Sequence, residues 1–393
     1  MKILRIVIEN LPHFERELDI DFVAQQRVDD KDREHLYCIF SNIYLKKALS
    51  FIGVNASGKT TILKATKLAM GLLANQAINH MQVREILKDM KKDDIVTITS
   101  YFYRKEQINK LETAIKNIST DAAENEKFII ISETLSQKSV KKVKSKKNLY
   151  EFAMHDVVQT RNQNEKYLMD DVSIMIAENK ASDDNIDLWD TLVATDYNEI
   201  NILWDFPKQL LAFLDPSIEY LNCDMGNDRE VDIRLKFYGN QEIVINNPKL
   251  LGNYLSSGTI KGLSVFSCAE FALRRGSYFI VDELENHFNK ELAATLIRFF
   301  LNEKTNPNGA TLLFSTHYSE LLDEFDRNDN IYIVRNKKGI YAENLSKALK
   351  RNDMKKSEVY DSDSLGGTAP DYETYIRLKN TLIRERTKEA VND

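Results

Sequence analysis

Apolar and polar residues alternate at period two over residues 3–8 and 18–22, and Asn10-Leu11-Pro12 between them is a turn signal. Two strands are therefore predicted at the start of the chain. Residues 29–34 form a charged loop. Ala48-Leu49-Ser50-Phe51-Ile52 is an unbroken apolar run with one serine, read as a short buried strand that stops at Gly53. From Thr60 the period changes. Ile62, Ala65, Ala69 and Leu72 recur at helical spacing, so residues 51–70 read as strand, glycine-containing loop and helix.

Further strands are predicted at 95–103, 127–135 and 149–152, as an antiparallel layer. Residues 157–214 are acidic and are expected to be mostly helical. Strands follow at 218–223, 231–237 and 242–245, then a helix from about residue 259 to 275. The last third reads as a buried strand at 278–281, a helix at 290–301 and strands at 311–315 and 331–334. The charged tail from Ser346 ends in a helix at 372–387. No internal repeat and no sustained heptad pattern is present. The expected organisation is one two-lobed unit over residues 1–393. A core lobe takes approximately 1–75, 94–153 and 278–345, an insertion lobe approximately 155–277, and residues 346–393 form a C-terminal extension.

Composition narrows the class without naming a chemistry. Hydrophobic residues make up 43% and charged residues 29% of 393, the balance of a globular protein. No apolar run reaches the roughly 20 residues that span a bilayer, and the alternating N-terminus is unlike a signal peptide. A cytoplasmic protein with no membrane partner is the expectation. Cys38, Cys223 and Cys268 are odd in number and lack metal-ligand spacing, so they read as small apolar side chains. The net charge of −6 argues against a chain that wraps nucleic acid over its whole surface.

Candidate chemistry begins at Gly53-Val54-Asn55-Ala56-Ser57-Gly58-Lys59-Thr60, which fits G-x-x-x-x-G-K-[ST] between a predicted strand and a predicted helix. Glycines let the backbone curl so that N–H groups point at phosphate oxygens, and the helix adds its positive end. Lys59 is placed to reach the β- and γ-phosphates, and the Thr60 hydroxyl to bind Mg²⁺. Tyr278-Phe279-Ile280-Val281 then ends in Asp282 and Glu283. Two carboxylates at the end of a buried strand are costly unless they serve a cation or a proton transfer. Asp282 suits a metal anchor and Glu283 a general base; the plainer reading is a helix-capping pair. Leu255-Ser256-Ser257-Gly258-Thr259 places small polar residues at a helix start, which suits either an ordinary N-cap or an anion site. Leu312-Leu313-Phe314-Ser315-Thr316-His317 is a buried strand ending in a histidine, structural or catalytic.

The order of these parts resembles that of ABC-type ATPases, in their soluble chromosome-maintenance and RecF-like branch. Among these the chain is most similar to the overcoming-lysogenization-defect (OLD) ATPases and the stand-alone abortive-infection ATPases, AAA-family proteins of bacterial phage defence. Residues 53–61, 255–259, 282–286 and 314–322 carry most of the likeness, with Leu365-Gly366-Gly367-Thr368-Ala369-Pro370 in the tail. The resemblance implies an α/β fold: an ABC-type P-loop NTPase with a RecA-like core, an antiparallel β layer and a helical insertion lobe. It implies ATP and Mg²⁺ as cofactors. Gly53, Asn55, Ala56, Ser57, Gly58, Lys59, Thr60 and Thr61 would hold the nucleotide, and Thr60 and Asp282 the metal. Glu283, His317 and Lys59 would act in hydrolysis. Ser256, Ser257 and Gly258 would close over the γ-phosphate held by a second copy, and residues 286–289 would cross the dimer interface. Ser257 and Thr259 replace the usual Gly and Gln, and Asn289-Lys290 replaces the usual His-Pro.

The partners implied are a second copy, or a larger assembly built from dimers, and a separately encoded nuclease or toxin effector. The alternative is an ATP-gated DNA-repair clamp like RecF. A transporter subunit fits less well, because the stretch between 60 and 255 is too long. Asp361-Ser362-Asp363 is reminiscent of a Toprim metal pair, but only 30 residues follow it, so a solvated acidic loop is expected and no second activity. Six lysines between 138 and 147 suit a hairpin tip, either solvated or set against nucleic-acid phosphates.

Overall fold

The computed structural model describes residues 1–119, 126–162, 168–181, 184–192, 206–225, 231–286, 288–368 and 372–392. Its first strands are β1 (Lys2–Glu9), β2 (Leu18–Asp21), β3 (Leu36–Phe40), β4 (Ile43–Lys46) and β5 (Ala48–Ile52). Next come β6 (Ile95–Arg104), β7 (Gln107–Asn117), β8 (Phe128–Ser139), β9 (Val157–Thr160) and β10 (Leu188–Asp190). The remainder are β11 (Ile218–Met225), β12 (Val231–Phe237), β13 (Ile243–Ile245), β14 (Tyr278–Val281), β15 (Thr311–Thr316), β16 (Ile331–Asn336) and β17 (Ile340–Asn344). The helices are α1 (Lys59–Leu73), α2 (Met175–Lys180), α3 (Lys208–Leu214), α4 (Ser257–Arg275), α5 (Lys290–Leu301), α6 (Leu345–Ala348), α7 (Lys356–Asp361) and α8 (Tyr372–Asn392).

These elements make a mixed α/β structure. One sheet has the order β10-β14-β15-β5-β16-β17, parallel from β10 to β16 and antiparallel at β17. Every residue of β5, β14 and β15 is buried, as strands covered on both faces must be. Alternate side chains feed two cores. Leu49, Phe51, Ile280 and Leu313 pack in the core that includes α1 and the antiparallel sheet β2-β1-β6-β7-β8-β9. Ala48, Ile52, Phe279, Val281, Leu312 and Phe314 pack with α4 and α5 on the other face. Truncating a buried Phe typically costs about 3–5 kcal/mol, several times the worth of one cap. The positions of these strand ends are therefore set by packing, and the polar groups they carry ride on it.

A third core joins α3, the sheet β11-β12-β13 and the first turns of α4, through Leu211, Leu221, Ile233, Leu235, Ile260 and Leu263. Thus α4 belongs to two cores, giving Ile260 and Leu263 to the third and Val265, Phe266 and Ala269 to the second.

Several expectations need correction. Described residues of 157–214 are not mostly helical: helix is confined there to α2 and α3, and β9 and β10 are strands; residues 163–167, 182–183 and 193–205 lie outside the description. β10 is recruited by parallel pairing with β14, and Trp189 stacks on Phe271 of α4 with centroids 5.5 Å apart. No strand forms at 149–152. Leu149 ends a 3-10 turn, and Tyr150 turns its hydroxyl to Asp21 Oδ1 at 3.0 Å instead. The hairpin β3–β4, the long strand β7 and the edge strand β17 were not anticipated, and α8 runs on to Asn392. Among the described residues, no helix is long and apolar enough to cross a membrane.

Candidate functional site

β5 ends at Ile52 and α1 begins at Lys59, so residues 53–58 form a tight loop between a buried strand and a helix N-terminus. Two positions in it leave no room for a side chain. A Cβ on Gly53 would sit 2.4 Å from the Val334 carbonyl oxygen, and one on Gly58 would sit 2.7 Å from Ile340. Gly58 also has φ 99°, a left-handed conformation that glycine adopts without strain. Ala56 is left-handed as well, at φ 59°, and its carbonyl accepts from Asn336 Nδ2 at 3.2 Å. Asn55 and Ala56 are exposed, and Thr61 is half-buried. Ser57 is buried, and its hydroxyl oxygen has no hydrogen-bond partner. Gly58 supplies no side-chain cap to α1, so the first N–H groups of the helix are not satisfied in that way. A glycine cradle, an orphaned buried hydroxyl and an uncapped helix start together suit a phosphate group.

Lys59 lies folded over this loop. Its Nζ donates to the Gly53 carbonyl at 2.9 Å and the Val54 carbonyl at 3.3 Å, and lies 3.3 Å from His317 Nδ1. Burial lowers its pKa, and Glu285, Glu283 and Asp282 act against that fall.

The acidic side of the site comes from β14 and β15, which pair in parallel. Asp282 follows the last residue of β14. Its Oδ2 accepts from Thr60 Oγ1 at 2.7 Å, and its Oδ1 accepts from Ser315 Oγ at 2.5 Å. Ser315 Oγ in turn accepts from the Glu283 N–H at 2.7 Å. One buried hydroxyl thus fixes the carboxylate of Asp282 and the backbone of Glu283 together. Glu283 has φ 46°, and its carboxylate is half-exposed, with Oε1 3.9 Å from His317 Nε2. Glu285 is buried and accepts the His317 N–H at Oε1, 2.6 Å away, while its Oε2 has no partner. His317 is therefore held by its backbone on Glu285, with its ring between Lys59 and Glu283.

The 256–258 segment behaves differently. Ser256 is the N-cap of α4, its Oγ accepting from the Thr259 N–H at 3.0 Å and meeting Thr259 Oγ1 at 2.8 Å. Ser256 is exposed and Ser257 and Gly258 are half-exposed, while Leu255 and Ile260 beside them anchor the turn in the third core. Asn289 N-caps α5 through the Leu292 N–H at 2.9 Å, which gives Asn289-Lys290 a local role in starting that helix. His287, in the expected interface loop, lies outside the described residues.

The structure brings Gly53, Lys59, Thr60, Asp282, Glu283 and His317 into one contact network. Ser315, Glu285 and Lys261 belong to it and were not singled out. The available signals are a glutamate two residues after Glu283, a serine near the end of the buried 311–316 strand, and a lysine between the apolar Ile260 and Leu263 of α4. Lys261 is 1% exposed, and its Nζ donates to the carbonyls of Glu283, Leu284 and Asn286. Burial pulls its pKa down to about 8 against the pull of Glu285, Glu283 and Asp282.

Three further candidates lie outside this network, and the acidic 361–363 segment is exposed as expected. Asp361 accepts from Ser319 Oγ at 2.9 Å, and Asp363 accepts from the Thr368 N–H at 2.8 Å. The glycine-rich tail docks on β16, where Arg335 donates to the carbonyls of Gly366 at 2.7 Å and Leu365 at 2.8 Å; Ala369 and Pro370 lie outside the described residues. The lysine run connects β8 to β9 and is exposed at Lys141, Lys142, Lys144 and Lys147, as a solvated segment requires, while two of its lysines are tied to the main chain. Lys138 Nζ is held by the carbonyls of Asn148 and Glu151 with the Phe152 ring 4.1 Å away, and Lys146 is held by those of Ala24, Gln25 and Gln26.

No protein-family model matches the chain, and no curated protein matches it significantly.

Proposed function

We propose that the chain is an ABC-type ATPase whose P-loop is the 53–60 segment and whose two nucleotide sites are completed when two copies meet. The observation that carries this reading is the hydrogen bond from Thr60 Oγ1 to Asp282 Oδ2 at 2.7 Å. It joins the glycine loop to the acid at the end of a neighbouring buried strand, the pair of oxygens an Mg²⁺–triphosphate complex needs. Mg²⁺ would supply charge neutralisation for the phosphates, held by Thr60 with Asp282 behind it. The residues of the chain do the rest. Main-chain N–H groups of 53–60, with Asn55, Ala56, Ser57 and Thr61 around them, form the phosphate cradle. Lys59 exchanges the carbonyls of Gly53 and Val54 for phosphate oxygens. Glu283 accepts the proton of the attacking water, and His317, aligned by Glu285, donates to the γ-phosphate.

Ser256, Ser257 and Gly258 supply the second half of each site from the other copy. Two ATP molecules shared this way hold a dimer together, and hydrolysis releases it, so the chain works as a switch. We assign it to the OLD-like, abortive-infection type of soluble ABC ATPase, a sensor or scaffold for a separate nuclease or toxin effector. Binding of a fluorescent ATP analogue tests the reading. The wild-type chain should bind it in the presence of Mg²⁺, and Lys59→Ala should bind about 10²-fold more weakly, the loss of one or two charge-assisted hydrogen bonds.

A second reading, a RecF-like DNA clamp, draws on a cleft of about 520 Å³ beside β2 and β17, lined by Arg5, Lys146, Lys147 and Lys347 as well as Asp19 and Asp21. Arg5 is paired with Asp19 and Lys146 is held by main-chain carbonyls, so the cleft offers a polyanion chiefly Lys147 and Lys347. Stimulation of ATP hydrolysis by duplex or gapped DNA favours the clamp, and copurification of a second protein from the native host favours the scaffold.

A further inference from the structure

Lys261 stands three residues beyond Gly258 on α4 and reaches across to the loop that follows β14. Its Nζ donates to the Glu283 carbonyl at 3.0 Å, the Leu284 carbonyl at 3.4 Å and the Asn286 carbonyl at 2.5 Å, with the Phe288 ring 4.9 Å away. An ammonium carries three donors and no acceptor, so this cage directs its bonding to the backbone of one loop. Packing alone does not call for a charge here. Ile260 and Leu263 sit on either side in the third core, and an apolar residue avoids the desolvation that a buried cation incurs. What the ammonium adds is a rigid link from the first turns of α4 to the main chain of Glu283.

Glu283 is held from both sides. Its N–H donates to Ser315 Oγ of β15 at 2.7 Å, and its carbonyl accepts from Lys261 of α4 at 3.0 Å. Between those two bonds it adopts φ 46°, a left-handed conformation unusual for a side chain of this size. Lys261 is thus the side chain through which a displacement of the α4 N-terminus would act on the peptide that follows Glu283. The same N-terminus begins at Ser256, Ser257 and Gly258.

We propose that Lys261 is a positioning residue that couples contact at the 256–258 turn to the orientation of the Glu283 carboxylate in the same chain. This rests on the reading of the turn as the cover of the partner's triphosphate. One copy then hydrolyses its own nucleotide only when its turn is occupied by the nucleotide of the other. The two sites of a dimer fire together, and a dimer loaded on one side stays closed.

A double-mutant cycle between Ser256→Ala and Lys261→Met tests the proposal, with kcat measured at saturating ATP and Mg²⁺ and at protein concentrations where each variant is fully associated, and affinity measured with a fluorescent ATP analogue. Lys261→Met should lower kcat by about tenfold or more while the analogue binds within about twofold of wild type. Lys261→Arg should recover part of that loss. The double variant should fall no more than about twofold below the slower single one, because both substitutions break one linkage. Losses that multiply, an unchanged kcat in Lys261→Met, or a parallel loss of nucleotide binding would each overturn the proposal. Thermal melts decide whether the variants are folded. If Lys261→Met is not, Lys261→Gln takes its place in the cycle, and failure of both to fold makes Lys261 a structural strut and also overturns it. A wild-type chain that binds no analogue removes the ATPase reading and this inference with it, whereas a wild type that binds and hydrolyses ATP leaves the ATPase reading standing whatever the cycle shows.

Discussion

The two helix starts that bear on the site are built in opposite ways. α1 begins after Gly58, which caps nothing, behind a loop containing a buried serine hydroxyl with no partner. α4 begins after Ser256, whose hydroxyl already accepts the Thr259 N–H at 3.0 Å. The first start has donors to spare and is enclosed by Lys59, Thr60 and Asp282 of its own chain. The second has met part of its demand and faces outward. Unmet N–H donors and the positive end of the helix dipole favour an anion at a helix N-terminus. By that measure α1 suits the resident phosphate site of the proposed ATPase, and α4 suits a weaker contact made when another molecule brings an anion to it.

Substitutions at the two helix starts test this difference. The largest effect belongs to Glu283→Gln, in the network around α1. It should lower kcat by about 10²–10⁴-fold, the usual worth of a general base, with ATP affinity retained, as single-turnover and binding measurements will report. Gly58→Ala should destabilise the fold by about 1–3 kcal/mol, read as a lower midpoint in thermal or denaturant unfolding, because the added methyl meets Ile340 in a left-handed backbone. Ser256→Ala should cost about 1 kcal/mol as the loss of an N-cap and weaken association of the ATP-bound chains, leaving affinity of the single chain for nucleotide unchanged. Equal losses of nucleotide affinity at low protein concentration in Gly58→Ala and Ser256→Ala would erase the distinction between the two starts.

The site's main line was legible because its signals are local. The 53–60 loop follows an apolar run and precedes a helical period, and β14, β15 and α4 read correctly from runs that are buried on both faces or periodic at helical spacing. β7 escaped notice because its inward positions include Asn109, Thr113 and Asn117, which break the apolar alternation. Thr113 and Asn117 bond far along the chain, to Glu133 at 2.8 Å and the Met90 carbonyl at 3.1 Å, while Asn109 bonds to the carbonyls of Phe102 and Gln107, both at 3.3 Å. β10 was hidden for a similar reason, since three residues become a strand only by pairing with β14. The charge of the lysine run was plain in the sequence, but the carbonyl cages that take up Lys138 and Lys146 are products of folding. Lys261 belongs with them. A buried lysine announces itself in a sequence only as an exception to an apolar face.

In the proposed dimer the 53–60 loop of one copy and the 256–258 turn of another share a triphosphate. Light scattering of Glu283→Gln with and without saturating ATP and Mg²⁺ tests it most directly. The 45.4 kDa chain should at least double in mass when ATP and Mg²⁺ are added, and the added Ser256→Ala change should weaken the gain. A mass that stays at the monomer value in saturating ATP and Mg²⁺ would contradict it.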